Sequence, residues 1–201
     1  MTILLVPGYM ADDTLWDDLR APLAPFGPLV HAGLRGGTEE TTSGLRPLRL
    51  MEAAGLLTTP VIAVNDAPTK TLFDNRYGTA QSCVFAIADL LATVGVRFDE
   101  QPAVVIGYGP VGQGVAAYAR ALGATVSVVE RDPVRALQAS HDGYQVGRLA
   151  DLATGALLIS ATGVAHTIDL AAIETASAVA VAGGVPGEID LPSDAPLTPL
   201  A

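Results

Sequence analysis

The fold is decided by the stretch GYGPVGQG at residues 107–114, because of the segments that flank it. The apolar residues 103–106 come directly before it and are typical of a buried strand. In residues 111–122 the apolar positions recur at helical spacing, so this run predicts a helix that begins in the turn. A strand, a G-x-G-x-x-G turn and a helix in this order are the pattern of a dinucleotide-binding fold.

The residues of this turn have predicted tasks in cofactor binding. Gly107 makes the tight turn, Gly109 lets the backbone approach a pyrophosphate, and Gly112 lets the helix pack closely on the strand. Pro110 and Val111 open the helix, whose N-terminus faces the phosphates. The alternative is an ordinary strand-to-helix turn without a ligand, because the glycine pattern alone has low specificity.

An acidic residue at the end of the next strand points to the cofactor. Residues 125–129 predict a strand that leads to Glu130, about twenty residues after the turn, where a carboxylate would accept the ribose hydroxyls. This arrangement favours NAD over NADP. Arg131, a cation next to Glu130, is compatible with the 2′-phosphate of NADP, so NADP stays open as an alternative. In the alternative without a ligand, Glu130 is a solvated side chain.

Composition and charge exclude several classes of protein. The 201 residues are 50% hydrophobic, and their net charge of −10 argues against nucleic acid or an anionic membrane as a partner. The apolar residues 3–6 are followed by Pro7 and Gly8 and lack a basic flank, so we expect neither a signal peptide nor a membrane span, and predict a cytoplasmic protein. One cysteine and three scattered histidines predict no disulfide and no metal site.

Apolar runs that alternate with amphipathic stretches predict an α/β fold, namely a Rossmann-like, doubly wound parallel sheet with a small N-terminal α/β lobe. The predicted strands are residues 3–6, 29–31, 103–106, 125–129, 145–146, 156–160 and 177–182. The predicted helices are residues 13–23, 81–94, 111–122, 133–143 and 170–175, with further elements of unassigned type at 41–54 and 61–64 and a polar segment at 65–78.

The same patterns predict a division of the chain. The small, truncated α/β lobe covers residues 1–65, and a hinge with a connecting helix covers residues 66–100. The NAD-binding Rossmann domain covers residues 101–192, and a frayed tail follows at residues 193–201; the chain from residue 191 onward contains three prolines.

Several further motifs carry a family resemblance. Before the glycine turn they are TEETTSG at 38–44, MEAAG at 51–55, ND at 65–66, TK at 69–70 and FDNRYG at 73–78. After it they are ERDP at 130–133, ALQA at 136–139, GY at 143–144, ATG at 161–163 and EID at 188–190. In this order, over residues 33–191, the chain resembles the S-adenosylhomocysteine hydrolases.

The resemblance implies a reaction and the residues for it. In that family a tightly held NAD oxidises the 3′-hydroxyl of the nucleoside, which acidifies the C4′ proton; homocysteine leaves, water adds and the ribose is reduced again. The resemblance implies that Lys70 helps to deprotonate the 3′-hydroxyl, that Asp74 lies beside it, and that Glu40 holds ribose hydroxyls. It implies NAD contacts for the positions Thr41, Thr42, Ser43, Asn75, Thr162 and Gly163.

A structural alternative accompanies these assignments. Lys70 and Asp74 are spaced i, i+4 and would form a solvent-facing pair on a helix, while Glu39 and Glu40 would favour the start of a helix.

The chain also departs from the family pattern. Residues 3–10 and 15–19 resemble the start of an α/β-hydrolase instead of the family's front substrate domain, yet no G-x-S-x-G nucleophile elbow occurs. Thr79, Pro110, Gln113 and Gly184 replace a cysteine, an aspartate, a lysine and a histidine of the family, the last of them near the nicotinamide. We therefore expect NAD binding to be better preserved than substrate chemistry.

Three functions stay open at this point. The first is an NAD-binding protein of the S-adenosylhomocysteine hydrolase type that is incomplete for catalysis alone. The second is a nucleoside-oxidising enzyme that a partner chain completes, and the third is a non-catalytic NAD-binding or scaffold module. A nucleoside-type small molecule and a second copy of the chain, in a homo-oligomer, are the expected partners.

Overall fold

The structure is a computed structural model that describes residues 3–5, 29–31, 36–185 and 187–191. The chain divides into two compact units, Met1–Ala67 and Pro68–Ala201. The helix expected at residues 13–23, most of the hydrolase-like segment and the expected tail at 193–201 lie outside the described residues.

Within its described residues, the first unit contains two pairs of short parallel strands and one α-helix. Strand β1 (Ile3–Leu5) pairs with β2 (Leu29–His31), and β3 (Gly37–Glu39) pairs with β4 (Val61–Ala63). Helix α1 (Thr42–Ala53) lies between β3 and β4 in the chain and buries Leu45 and Leu48. A 3₁₀ turn, Val64–Asp66, follows β4. The unit is therefore α/β, and the strands expected at residues 3–6 and 29–31 are present.

The second unit begins with two consecutive helices. A π-helix, Lys70–Thr79, continues directly into α2 (Ala80–Thr93), so much of the polar segment expected at residues 65–78 is helical. The π-helix packs closely against the later helix Pro110–Ala121. Gly114 of that helix makes the close packing feasible, because a Cβ atom at Gly114 would lie 1.9 Å from the carbonyl oxygen of Arg76. Only a residue without a side chain lets the two backbones approach so closely.

The remainder of the second unit is a doubly wound parallel sheet. Its elements, after a 3₁₀ turn at Phe98–Glu100, are β5 (Pro102–Ile106), α3 (Pro110–Ala121), β6 (Thr125–Val129), α4 (Pro133–His141), β7 (Gln145–Val146), α5 (Leu149–Leu152), β8 (Leu157–Ser160), α6 (Leu170–Thr175) and β9 (Ala178–Val181). All pairings are parallel and the strand order is β7-β6-β5-β8-β9. The predicted fold class is confirmed.

The sheet is covered on both faces because alternate residues of its central strand pack into different cores. Ala103 and Val105 belong to the core that contains residues of α2 and α3. Val104 and Ile106 belong to the core that contains Ala172 of α6. A strand that is buried on both faces needs a continuous apolar sequence, which explains the run PAVVI in β5.

This topology fixes where a ligand is expected. The chain runs outward from β5 through β6 to β7 and then returns to β8 on the other side of β5. The carboxyl ends of β5 and β8 flank the crevice at this reversal, which is where open α/β sheets bind ligands. The glycine turn follows β5 directly.

Candidate functional site

Gly107 occupies a position that other residues cannot adopt without strain. Its φ is +95°, in the left-handed region, and its N–H donates a hydrogen bond of 2.8 Å to the carbonyl oxygen of Val129. A Cβ atom at Gly107 would lie 3.0 Å from Cγ2 of Thr162 and 3.1 Å from the carbonyl oxygen of Ala161. The chain after β8 thus closes against the turn after β5.

Gly112 and Gly109 differ in what surrounds them: Gly112 is packed against the protein backbone, whereas Gly109 is open. A Cβ atom at Gly112 would lie 1.9 Å from the carbonyl oxygen of Gly107, so helix α3 packs directly on the turn. A Cβ atom at Gly109 would meet only Nη1 of Arg135, at 3.6 Å. The backbone at Gly109 therefore has open space above it, which a side chain would fill.

The N-terminus of α3 is available to a ligand. Gly109 is the N-cap residue and Pro110 opens the helix, and no side-chain hydrogen bond caps this end. The first N–H groups of a helix have no partner within the helix and attract anions. An open glycine and an uncapped helix N-terminus fit the pyrophosphate of a dinucleotide.

Glu130 holds the turn in place in addition to any contact with a ribose. Its Oε2 accepts a hydrogen bond of 2.6 Å from the N–H of Tyr108, and its Oε1 accepts from the N–H groups of Arg131 and Asp132 at 2.7 and 2.9 Å. Oε1 already has two donors, whereas Oε2 has one and has room for another. The side chain can therefore still accept ribose hydroxyls.

Tyr108 anchors the turn on its other side, which the sequence did not reveal. Its hydroxyl donates a hydrogen bond of 2.7 Å to Oδ2 of Asp142, and its ring packs edge-on against Tyr144 with 5.9 Å between centroids. The guanidinium of Arg120 lies over the other ring of this pair, 4.4 Å from its centroid. Burial is the main cause that raises the pKa of Tyr108, and the hydrogen bond to Asp142 raises it further.

Arg135 is a second residue that sequence analysis missed. Its guanidinium approaches Gly109, and no ion pair joins it to the residues that the structure describes. Its place in the first turn of α4, five residues after Glu130, is the signal that could have identified it. A cation beside the open glycine complements a phosphate.

Thr162 and Gly163 follow β8 on the far side of the crevice. The hydroxyl of Thr162 accepts from the N–H of Val164 at 3.1 Å and lies 2.9 Å from the hydroxyl of Thr167. Gly163 has a φ of +57° and open space where a side chain would be. The structure thus places Thr162 against Gly107, while the space beside the backbone of Gly163 is open.

Lys70, Asp74 and Asn75 form one cluster in the π-helix. Nζ of Lys70 donates to Oδ2 of Asp74 at 2.6 Å and to Oδ1 of Asn75 at 2.7 Å. The Lys70 side chain is 15% exposed, and that of Asp74 is 57% exposed. The expected i, i+4 pair therefore exists, but its lysine is largely withdrawn from solvent.

In the first unit, Glu39 and Thr41 organise the start of α1. Oε1 of Glu39 accepts from the N–H and the hydroxyl of Thr41 at 2.7 and 2.6 Å, and the Thr41 hydroxyl accepts from the N–H of Gly44 at 2.9 Å. The amide of Asn65 donates to the hydroxyl of Thr42 at 3.1 Å. Glu40 is exposed. Thr41 and Glu39 thus cap the helix, in agreement with the helix-start alternative for Glu39.

Comparison with known proteins identifies the family. Residues 75–194 match the sequence profile described as "S-adenosyl-L-homocysteine hydrolase, NAD binding domain". The chain belongs to the S-adenosyl-L-homocysteine hydrolase family. The resemblance inferred from the sequence is confirmed, and NAD is the cofactor of the matched domain.

The chain is similar to curated members of this family from archaea and bacteria. It is 49% identical over 149 residues to the adenosylhomocysteinase of Aeropyrum pernix, covering 70% of this chain and 35% of that protein. It is 43% identical over 189 residues to the adenosylhomocysteinase of Gloeobacter violaceus, covering 92% and 43%. It is also 52% identical over 129 residues to the S-inosyl-L-homocysteine hydrolase of Methanosarcina acetivorans, covering 64% and 31%. These matches span less than half the length of each relative.

A solved structure supports the fold. The structure of D-2-hydroxyisocaproate dehydrogenase superposes with a TM-score of 0.50 at 15% identity, covering 94% of this chain and 72% of that one. This likeness concerns the fold alone. Among the residues described here, no helix is long and apolar enough to span a membrane, and no cluster of three or more His, Cys, Asp or Glu side chains could hold a metal ion.

Proposed function

We propose that residues 107–114 and Glu130 bind NAD, and that the chain takes part in the NAD-dependent hydrolysis of an S-nucleosyl-homocysteine. The observation that carries this proposal is the cradle at Gly109, where an open backbone position meets the uncapped N-terminus of α3. The adjacent Glu130 supplies carboxylate oxygens for the adenosine ribose. Backbone amides hold Glu130 in place, so its position does not depend on the ligand.

The remaining cofactor contacts follow from the resemblance to the family. Thr162 and Gly163 lie beside the glycine turn and are proposed to contact NAD from the β8 side. In the π-helix, Asn75 is proposed to contact NAD as well. In the first unit, Thr41, Thr42 and Ser43 are proposed to contact NAD through the hydroxyl-rich start of α1.

Lys70 is proposed to remove the proton from the 3′-hydroxyl of the nucleoside. When bound, NAD supplies a hydride acceptor for that carbon. Two oxygen acceptors, on Asp74 and Asn75, hold Nζ of Lys70 in a fixed place within the π-helix. The ammonium group first passes a proton to the Asp74 carboxylate to which it donates, and the neutral amine then accepts the proton of the 3′-hydroxyl. Asp74, the more exposed partner, would then face the ribose.

The nucleoside is proposed to be held at its ribose by Glu40, whose side chain is exposed in the first unit. The relatives include hydrolases named for adenosyl and for inosyl substrates, so both purines are candidates. We also propose a homo-oligomer in the cytoplasm, as in the sequence prediction; light scattering of the purified chain tests the oligomeric state.

The test of this chemistry adds adenosine or inosine to the NAD-loaded chain and follows the absorbance of reduced nicotinamide. Lys70 is the only lysine of the chain, so in Lys70→Met no other lysine is left to replace the proposed base. Although the chain is expected to be incomplete for the whole hydrolysis, the oxidation step alone should form reduced nicotinamide in the wild type. Lys70→Met should not form it, although this variant should bind NAD within about twofold of wild type. Arg97→Met, which removes an exposed cation, is the matched control.

The absence of reduction in the NAD-loaded wild type would favour the non-catalytic module. Gly184, which stands where the family has a histidine near the nicotinamide, is the observation that keeps this second candidate open. Reduction that appears only after a second protein is added would favour the partner-completed enzyme.

A further inference from the structure

Glu188 is a buried acid that the proposed reaction does not use. Its side chain is 1% exposed. Its Oε2 accepts a hydrogen bond from the hydroxyl of Ser160, and the hydroxyl of Thr162 lies 3.2 Å from the same oxygen. Ser160 is the last residue of β8, so the carboxylate sits at the carboxyl end of that strand.

The second oxygen of this carboxylate is not satisfied. Oε1 of Glu188 is buried and makes no hydrogen bond within the described part of the chain, and none of the ion pairs found there includes Glu188. A Cβ atom at Gly183 would lie 1.8 Å from Oε1, so a backbone without a side chain faces this oxygen. Burying an acid without a cation and with one oxygen unpaired costs free energy, so such an arrangement calls for an explanation.

The position of Glu188 in the sheet suggests what it acts on. Gly183 follows β9 by two residues, so the carboxylate lies at the carboxyl ends of β8 and β9. A doubly wound sheet binds a dinucleotide with one half for each mononucleotide. The glycine turn and Glu130 belong to the half made by β5, β6 and β7, which takes the adenosine part. Glu188 therefore belongs to the half that takes the nicotinamide part.

We propose that Glu188 tunes this half of the site, stabilising the oxidised, positively charged nicotinamide ring relative to the reduced, neutral ring. The proposal rests on the proposed NAD site. The field of a carboxylate without a neighbouring cation acts over several ångströms where water is excluded, so direct contact is not required. Ser160 and Thr162 hold the carboxylate but do not neutralise it.

The experiment measures the dissociation constants of NAD⁺, NADH and ADP-ribose for wild type and Glu188→Gln by calorimetry. The affinity for NAD⁺ relative to NADH should fall by about tenfold in Glu188→Gln, because the substitution removes one charge and little volume. ADP-ribose lacks nicotinamide, so its affinity should change by less than about twofold. Glu174→Gln removes an exposed charge of the same type, in α6, and should leave all three constants unchanged.

Two results would overturn the proposal. An equal loss of affinity for all three ligands would mean that Glu188 only supports the fold, and an unchanged ratio of NAD⁺ to NADH would mean that its charge does not reach the ring. If Glu188→Gln fails to fold, Ser160→Ala serves instead: it removes a donor that holds the carboxylate, so the affinity for NAD⁺ relative to NADH should fall while the affinity for ADP-ribose stays unchanged, and an unchanged ratio would contradict the proposal. Wild type that binds none of the three ligands would instead refute the NAD site itself.

Discussion

The backbone N–H of Tyr108 donates a hydrogen bond of 2.6 Å to Oε2 of Glu130. This contact joins the turn after β5 to the end of β6, 22 residues further along the chain. Glu130, the acid proposed to recognise the ribose, is therefore also part of the scaffold that shapes the glycine turn at residues 107–114. Cofactor affinity and local stability should depend on the same side chain.

Replacing Glu130 with alanine should thus affect both properties. Three backbone N–H groups lose their acceptor. The free energy of unfolding should fall by about 1–3 kcal/mol, as measured by urea unfolding. NAD affinity should fall by at least about tenfold in calorimetry, while the relative affinity for NADP should rise because the carboxylate no longer repels a 2′-phosphate and Arg131 remains. Unchanged NAD affinity would remove Glu130 from the site.

Gly107→Ala and Gly109→Ala form a matched pair, of which the first should lower stability and the second should weaken NAD binding. Gly107→Ala places a side chain at a φ of +95°, against the chain after β8, and should lower the free energy of unfolding by about 1–3 kcal/mol. Gly109 has φ −74° and open space, so Gly109→Ala should leave stability within about 0.5 kcal/mol of wild type but weaken NAD binding. Equal destabilisation by both variants would contradict this geometry.

Tyr108→Phe should change the alkaline stability of the protein. Burial and the hydrogen bond to Asp142 raise the pKa of Tyr108 in the folded state, so the phenol stays neutral there after it has begun to ionise in the unfolded chain. Stability from this source is complete below about pH 10 and is lost as the pH rises above that value. Urea unfolding from pH 8 to 11 should therefore show a smaller alkaline loss in Tyr108→Phe than in wild type. Identical pH profiles would show that the phenol does not carry this effect.

Arg135→Ala should weaken NAD binding without loss of stability. The guanidinium lies beside the open glycine, and the residue is exposed. Loss of a phosphate contact should reduce NAD affinity by about three- to tenfold and make it less sensitive to salt. Arg148→Ala, which removes an exposed arginine paired with Asp151, is the control and should have no effect. An affinity that does not change in Arg135→Ala would exclude the phosphate contact.

The sequence was sufficient for the main features of the second unit. The continuous apolar runs of β5 and β8 predicted buried parallel strands. The glycine turn lies directly after β5 and Glu130 directly after β6, as the pattern predicted. These features are local, so that spacing along the chain reveals them. The motifs around Lys70 and Asn75 also led to the family before any fold was known.

Other features depend on contacts that spacing does not encode. The hydrogen bond from Tyr108 to Asp142 spans 34 residues, and that from Ser160 to Glu188 spans 28. The π-helix at Lys70–Thr79 was expected only as a polar segment, since a widened helix has no 3.6-residue apolar period. It packs against α3, where Gly114 leaves room for the backbone of Arg76, and this contact lies 38 residues away along the chain.

The most direct test of the NAD site is calorimetric titration of NAD into wild type after bound nucleotide has been released and identified by mass spectrometry. Wild type should release NAD on denaturation or bind it when added, and Gly109→Val should do neither while keeping wild-type urea stability. Ala117→Val, at an exposed position of the same helix, should bind NAD like wild type. Wild type that neither releases nor binds NAD, or Gly109→Val that binds NAD as tightly as wild type, would contradict the proposed site.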